Sequence, residues 1–228
     1  MKKFFLLFVV VLLFTTFANA QNKTLDKKVR FGFKIDAGSS WLGPKESYVS
    51  KNGSKFYFGY GFISDFTLTD NYIISTGLNI TSAGGSISTL NGYGLHDDPA
   101  VNNGKSNTYT LGLQYLEIPL ALKLKTDPIN NIRYWGQFGT YLGINMGARL
   151  NAEVDGITYE KEKITSTAVP INMGLDLGIG IEYPLNSKTY GSVGLGFRNG
   201  FIDVTKQGSW NDGKVIMNGF FLRTAVFF

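Results

Sequence analysis

Apolar and polar side chains alternate strictly along much of this chain, and the clearest stretch runs from Pro170 to Tyr183. One parity is wholly apolar, whereas the other, after Pro170, holds only glycine and polar residues, with Asp176 and Glu182 as its charges. Successive side chains of a strand point to opposite faces, so a period of two predicts a β-strand with one apolar face. The apolar parity consists of Ile171, Met173, Leu175, Leu177, Ile179, Ile181 and Tyr183.

Seven further stretches show the same alternation, so eight strands are predicted. In the fifth, the pattern places Ala148 on the apolar face and Arg149 on the polar face. An even number of such segments, several of them longer than the ~9–11 residues that cross a bilayer obliquely, is typical of a closed antiparallel barrel in a membrane. The predicted strands are Val29–Trp41, Phe56–Leu68, Tyr72–Ser82, Thr108–Lys125, Ile132–Leu150, Pro170–Tyr183, Thr189–Asp203 and Val215–Phe228.

The connections between these strands alternate between short and long. Short turns face the periplasm and long loops face outward in outer-membrane barrels, so both termini are expected on the periplasmic side. The short connections are Thr69–Asn71, Thr126–Asn131 and Pro184–Lys188, and the long ones are Leu42–Lys55, Ala83–Asn107, Asn151–Val169 and Val204–Lys214. Aromatic residues beside the short turns predict an interfacial girdle of Phe66, Tyr72, Tyr134, Tyr183 and Phe228.

The polar face of the strands is rich in glycine and carries isolated charges of both signs. A soluble β-barrel or sandwich also alternates, but its polar face meets water and is usually densely charged. Sparse, mixed charges fit the narrow interior of a membrane barrel, where ions must pair. The expected interior charges are Arg30, Lys34, Asp36, Asp65, Glu117, Lys123, Arg133, Asp176, Glu182, Arg198 and Arg223.

The two ends of the chain carry targeting patterns. A basic start, an apolar run from Phe4 to Phe17 and Ala18-Asn19-Ala20 together predict a signal peptide over residues 1–20, followed by one barrel domain over 21–228. Loss of two leader lysines lowers the formal charge from +5 to +3, and no basic cluster remains to bind nucleic acid. The last strand resembles the terminal signal that the barrel-assembly machinery recognises, through Phe220, Leu222, Val226 and Phe228.

The fourth predicted strand departs from clean alternation. Leu111 and Leu113 have one parity, whereas the apolar residues after Tyr115 have the other. We therefore predict a β-bulge near Gln114–Tyr115. Pro119 in this strand has no backbone N–H and leaves one ladder acceptor without its usual donor.

This irregular strand also carries a family motif. Its sequence resembles the Y-L-E-I-P-L-x-L-K signature of the PorT-type outer-membrane β-barrel family of Bacteroidetes, through Tyr115, Leu116, Glu117, Ile118, Pro119, Leu120 and Lys123. The resemblance implies an eight-stranded barrel in the outer membrane over essentially the whole mature chain. It does not imply one activity, although some members of that family serve protein secretion and gliding.

Candidate chemistry is sparse. The single histidine, His96, precedes Asp97 and Asp98 in the longest loop, but a metal site would need further ligands, so a solvated loop is the preferred interpretation and no metal or cofactor is predicted. The interior charges either line an ion pathway or form a packed plug, and a plug suits an eight-stranded barrel better. Loop aromatics either contact a ligand or cap the barrel mouth, namely Trp41, Tyr48, Tyr93, Tyr159 and Trp210.

Three functions remain open at this point. The first is a non-enzymatic barrel whose loops serve envelope structure or bind a partner protein, since binding residues often lie on loops held by a rigid scaffold. The second is an accessory component of a secretion or gliding apparatus, which the family resemblance alone suggests. The third, least favoured, is an enzyme that modifies lipid. In each case the expected partners are outer-membrane lipid and, during biogenesis, periplasmic chaperones and the barrel-assembly machinery.

Overall fold

The fold is all-β and consists mainly of long antiparallel strands. The computed structural model describes residues 29–90, 94–95, 107–154 and 157–228. Within these residues, no helix is long and apolar enough to cross a membrane. Eight strands form one wall: β1 Val29–Pro44, β2 Val49–Thr69, β3 Tyr72–Thr89, β4 Asn107–Lys125, β5 Arg133–Val154, β6 Ile171–Pro184, β7 Tyr190–Asp203 and β8 Val215–Phe227.

The wall closes on itself. Each strand pairs antiparallel with its neighbours in the chain, and β1 pairs with β8 in an unbroken ladder from Gly32↔Phe227 to Pro44↔Val215. Closure leaves no unpaired edge among these eight strands, which is what a strand needs in order to lie in lipid. The predicted eight-stranded antiparallel barrel is therefore confirmed.

A broad apolar belt covers the outer face of the wall. Phe33 on β1 and Ile179 on β6 are 61% and 66% exposed, although both are large and apolar. Such a continuous surface is unfavourable in water and suits the acyl region of a bilayer. The aromatic residues Tyr72, Tyr134, Tyr183 and Phe228 are exposed on this face at the short-turn end.

Several strands extend beyond the belt at the end that carries the long loops. β2 begins at Val49, β3 continues to Thr89 and β5 continues to Val154, so three of the predicted long loops are partly strand. Once a strand leaves lipid, its outer face meets water and its inner face remains inside the barrel. Apolar residues are then expected to point inward rather than outward.

This reversal of polarity corrects the interpretation of β4. Every odd-numbered residue of β4 from Asn107 to Lys125 is buried except half-buried Pro119, so the side chains keep one parity along the whole strand. Leu111 and Leu113 point inward above the belt, whereas Ile118 and Leu120 face outward within it. The change of apolar parity therefore marks the membrane boundary and not a phase shift of β4.

A bulge does occur at the predicted pair, but its extra residue lies on β5. Gln114 pairs with Gly147 and Tyr115 with Asn145, which leaves Met146 without a partner in this ladder. The inserted residue reverses the parity of β5, so Ala148 is buried and Arg149 is exposed. The predicted faces of Ala148 and Arg149 were wrong for this reason.

Pro119 is accommodated by a neighbouring hydroxyl group. The ladder between β3 and β4 skips from Thr76↔Leu120 to Asn79↔Glu117, so the pairs around Pro119 are missing. Thr76 Oγ1 donates to the carbonyl oxygen of Pro119 at 2.7 Å and supplies a cross-strand bond at this gap. This bond satisfies the carbonyl oxygen of Pro119, which has lost its ladder partner on β3.

The outer segments are fastened to the barrel and to one another. Strand Ile157–Lys163 pairs with the end of β5, and Gly94–Leu95 pairs with Trp210–Asn211 in a separate two-stranded sheet. An isolated bridge joins Ala168 to Thr205. The chain beyond the belt therefore includes a connected structure above the barrel mouth.

Candidate functional site

The lower part of the lumen, near the short turns, contains one group of linked ion pairs. Arg30 on β1 donates to Glu182 on β6 at 2.9 Å and to Asp65 on β2 at 3.4 Å. Lys125 and Lys123 on β4 complete the group, at 2.6 Å from Glu182 and 3.2 Å from Asp65 respectively. Four strands are joined by these side chains across the lumen.

A second group of ion pairs lies in the middle of the lumen. Arg198 on β7 contacts Glu117 at 2.6 Å and Asp176 at 2.8 Å. Arg223 on β8 contacts Asp176 at 3.1 Å and also Asp36 at 3.1 Å. Lys34 donates to Asp36 at 2.8 Å. All these groups are almost fully buried, so each charge depends on its partners for the solvation that water would otherwise supply.

The structure places ten of the eleven predicted interior charges in these two groups. The exception is Arg133, which is half-buried at the start of β5 and has no ion pair within the described residues. Lys125 belongs to the lower group but was absent from the predicted set. Lys125 shares the parity of Lys123, but it is the last residue of the predicted strand and was therefore not counted among the interior charges.

Aromatic rings separate the ion pairs from the mouth. Tyr57 stacks on Phe221 with a centroid distance of 4.8 Å, and the guanidinium of Arg198 lies 4.5 Å from the ring centroid of Tyr141. Arg198 and Arg223 also lie over Phe221, at 5.6 and 5.1 Å. These cation–π contacts couple the charged layer to the apolar layer above it.

The upper lumen is filled by an apolar cluster that the alternation did not predict. It joins inward residues of the wall to residues of the outer segments, such as Ile164, Ala168 and Val204. An eight-stranded barrel has room inside for side chains only, so this cluster and the ion pairs close the lumen at two levels. Its buried wall residues include Leu42, Ile87, Tyr109, Leu111, Leu113, Leu150, Val215 and Met217.

The loop aromatics have different surroundings. Trp210 is buried in the apolar cluster and meets Tyr109 edge to face at 5.4 Å, and Tyr48 packs against the same cluster. Trp41 is half-buried, and Lys51 Nζ lies 4.8 Å from its ring centroid. The predicted loop residues His96 and Tyr93, and the side chain of Tyr159, lie outside the described part of the chain. No group of three or more acidic or histidine side chains suited to a metal occurs in the described part.

A buried carboxyl pair lies beyond the belt at the mouth. Thr205 Oγ1 lies 2.8 Å from Asp203 Oδ1 and 3.1 Å from Asp212 Oδ1, which places the two carboxyl groups around one hydroxyl. Burial, together with the charge of Asp203, raises the pKa of Asp212 to about 7. The sequence pattern did not indicate this pair.

The motif residues and the terminal residues have different environments. Glu117 and Lys123 point into the lumen and form the ion pairs described above, whereas Ile118 and Leu120 belong to the outer belt. The backbone N–H of Phe228 donates to the carbonyl oxygen of Phe31 at 2.9 Å. Phe220, Leu222, Val226 and Phe228 are all exposed on the outer face.

Solved structures with a similar fold are outer-membrane proteins. They include Neisserial surface protein A (13% identity; 86% of this chain and 96% of that one; TM-score 0.43). Ail, the attachment invasion locus protein of Yersinia pestis, has 8% identity, coverage of 88% and 97%, and a TM-score of 0.40. A major outer membrane protein of Thermus thermophilus has 10% identity, coverage of 87% and 99%, and a TM-score of 0.42. At such low sequence identity and structural similarity, the three structures give no information about what this chain binds.

None of the curated proteins compared with this chain matches it. The family model described as "Outer membrane protein beta-barrel domain" matches residues 17–205, which is most of the chain. Together with the closed barrel and its apolar belt, this match identifies the chain as a member of the outer membrane protein beta-barrel domain family, and thus as an outer-membrane β-barrel protein.

Proposed function

We propose that this protein is a non-enzymatic barrel that displays its outer segments to a partner at the cell surface. The observation that carries the proposal is the apolar cluster, because it fixes Ile164, Ala168 and Val204 of the outer segments to the inner wall. Binding surfaces are commonly carried by loops on a rigid scaffold. The cluster provides such rigidity at the mouth.

The closed lumen favours display over transport. Ion pairs fill the middle of the barrel and the apolar cluster fills the top, so a hydrated ion would have to displace both. The hydroxyl of Ser75 donates to Asp65 at 2.7 Å, but this pair lies among the ion pairs of the filled lumen, where a substrate has no access. A display role needs neither a pore nor a catalytic group.

A secretion role rests on the motif resemblance alone. Within the described structure, Glu117 of the motif pairs with Arg198 and Lys123 pairs with Asp65 inside the lumen, and Pro119 accepts a hydrogen bond from Thr76. These contacts stabilise the barrel and give no preference for a secretion partner. We also infer that residues 1–20 are a leader removed after Ala20 and that the barrel-assembly machinery inserts the mature chain.

Site-specific crosslinking in living cells tests the display role. A photo-crosslinking residue at exposed Gln207, on an outer segment, should capture the same cell-surface component in repeated preparations. The matched control carries the same residue at exposed Asn186, in a short turn. Capture from Asn186 alone would contradict the proposal and favour a periplasmic partner. Lost export of cargo after gene deletion would favour the secretion role instead.

A further inference from the structure

An open cleft of about 860 Å³ lies on the outer wall, where the apolar belt ends toward the long loops. It crosses β2, β3, β4 and β5 and reaches Lys163 and the segment that follows it. Its lining combines cationic, amide and apolar side chains: Lys55, Arg149, Lys163, Gln114, Phe56 and Met146. No acidic residue lines it within the described part of the chain.

Backbone pairing brings the three cations together. Arg149 pairs with Gly112 on one side and with Lys163 on the other, so these positions form one row across the wall. A Cβ atom on Gly112 would lie only 2.8 Å from Lys55 Nζ, which shows that the lysine crosses the bare backbone of Gly112 to reach this row. Any larger residue at 112 would push Lys55 away.

The bulge at Met146 gives Arg149 its outward direction. Without the inserted residue, position 149 would share the inward parity of Tyr141 and Gly143. Beyond Lys163, Ala148 N donates to Thr165 Oγ1 at 3.2 Å, and Ile164 N donates to Ala148 O at 3.0 Å, which fixes this segment beside the bulge. The local fold thus orients two of the three cations.

The three charges lie beside lipid and have no anionic partner among the described residues. Lys55, Arg149 and Lys163 are exposed, whereas nearly every charge in the lumen is paired. Directly below them, Phe56 and Met146 are 67% and 53% exposed and continue into the outer belt. A molecule complementary to this surface has an anionic head that contacts the cations and an apolar chain that lies along the belt.

We propose that this cleft binds the phosphorylated headgroup of an outer-leaflet lipid, with an acyl chain lying against Phe56 and Met146. Arg149 and the two lysines contact phosphate oxygens, since guanidinium and ammonium groups are the usual donors to phosphate. Gln114, which also lines the cleft, is placed to donate to a sugar or ester oxygen of the same headgroup. The bound lipid would fix the height of the barrel at this side of the membrane.

Native mass spectrometry of the refolded protein in detergent tests this binding with two probes. The first probe is hexa-acylated lipid A with two phosphates, and the second is the same lipid after phosphate removal. The test variant is Lys55→Gln/Arg149→Gln/Lys163→Gln. Its matched control, Lys45→Gln/Lys188→Gln/Lys206→Gln, removes three positive charges from exposed positions outside the cleft.

Wild type and control should retain one phosphorylated lipid with equal affinity, and the test variant should bind it at least about tenfold more weakly. Phosphate removal should weaken wild-type binding by a similar factor. Equal binding by the test variant, or no effect of phosphate removal, would overturn the proposal. Displacement of the lipid by an equal concentration of inorganic pyrophosphate would overturn it as well, since the cleft would then bind small anions. Heat-modifiable gel mobility verifies that every variant is folded.

Discussion

Arg223 in the last strand lies 3.1 Å from Asp36 in the first strand, and the two residues face each other in the ladder that closes the barrel. The same guanidinium reaches Asp176 on β6, so one side chain connects the closing seam to a strand that lies beyond β7. Lys34 shares Asp36 at 2.8 Å. Asp36 is therefore shared by two cations in a lumen where little water is available.

Asp36→Asn should destabilise the barrel, because it leaves the charges of Lys34 and Arg223 without their common anion. Removing one partner of a buried ion pair typically costs about 3–5 kcal/mol. The urea midpoint of unfolding in detergent, followed by heat-modifiable mobility, should fall accordingly. Asp70→Asn makes the same chemical change at an exposed residue of a short turn and should leave the midpoint unchanged. Equal midpoints for the two variants would contradict a stabilising role for the seam.

Gly196 on β7 leaves space for an aromatic ring, and its replacement should also destabilise the barrel. A Cβ atom at this position would overlap the ring of Phe221, which itself stacks on Tyr57. Gly196→Ala should therefore lower the free energy of unfolding by about 1–3 kcal/mol through forced repacking. Gly147→Ala is the control, since nothing lies within 4 Å of a Cβ atom there. An unchanged unfolding midpoint for Gly196→Ala would show that Phe221 moves without cost.

The alternation of the sequence was sufficient for the number of strands and for most of the inner charges, because lipid outside and a narrow lumen inside impose opposite polarity on the two faces. It was insufficient where that contrast ends. Leu111 and Leu113 are inward because water replaces lipid outside them, and Arg149 is outward because of one inserted residue. Alternation with a period of two residues does not reveal where the membrane ends or where a neighbouring strand has a bulge.

The mouth was the least predictable part of the site. Of the two alternatives predicted for Trp210, the structure has it cap the barrel mouth, whereas Val204 was predicted as the first residue of a long loop, yet it is buried in the same cluster. Their packing depends on contacts between segments far apart in the chain, such as the edge-to-face contact of Tyr109 with Trp210. No local pattern signals such contacts. The closed upper lumen could therefore be derived from the structure alone.

The ion pairs and the apolar cluster each close the lumen, and this predicts how variants should conduct ions in planar bilayers. Arg30→Ala/Glu182→Ala/Glu117→Ala/Arg198→Ala removes an ion pair from both the lower and the middle group but leaves the apolar cluster, so it should not conduct. Leu42→Ser/Leu111→Ser/Leu113→Ser weakens the cluster but leaves the ion pairs, and it should also remain closed. The combination should show stepwise currents. Current through either parent variant would mean that the lumen has a single seal.

The carboxyl pair at the mouth predicts a pH-dependent outer segment. Burial and the charge of Asp203 raise the pKa of Asp212 to about 7, whereas an aspartate in an unfolded chain has a pKa of about 3.9. Between these pH values the folded segment holds a proton that the opened segment has released, so protonation favours the folded form. The free energy of local opening should therefore decrease as the pH rises from about 4 through about 7.

Hydrogen exchange of the backbone amide of Val215, which donates to Asp203 at 3.0 Å, measures this opening. After correction for intrinsic rates, protection should be greater at pH 5 than at pH 8 in the wild type. Asp212→Asn should make protection independent of pH, because position 212 then stays neutral in both states. Asp127→Asn, at an exposed position in a short turn, should retain the wild-type pH dependence. An unaltered profile in Asp212→Asn would assign the effect to another group.

Replacement of Phe228 should affect assembly in cells much more than it affects the stability of the refolded protein. Phe228 is exposed on the outer face, and its ring lies 6.0 Å from that of Phe33. Its backbone N–H bond to Phe31 persists whatever the side chain, so Phe228→Ala should lower the unfolding midpoint of refolded protein only slightly.

If the assembly machinery recognises this ring, the same variant should accumulate as unassembled chain in cells. Phe201→Ala removes an aromatic ring of nearly equal exposure, 47% against 48%, and should assemble normally. Equal assembly of the two variants in membrane fractions would remove Phe228 from the signal, and a large loss of refolded stability would make its role structural.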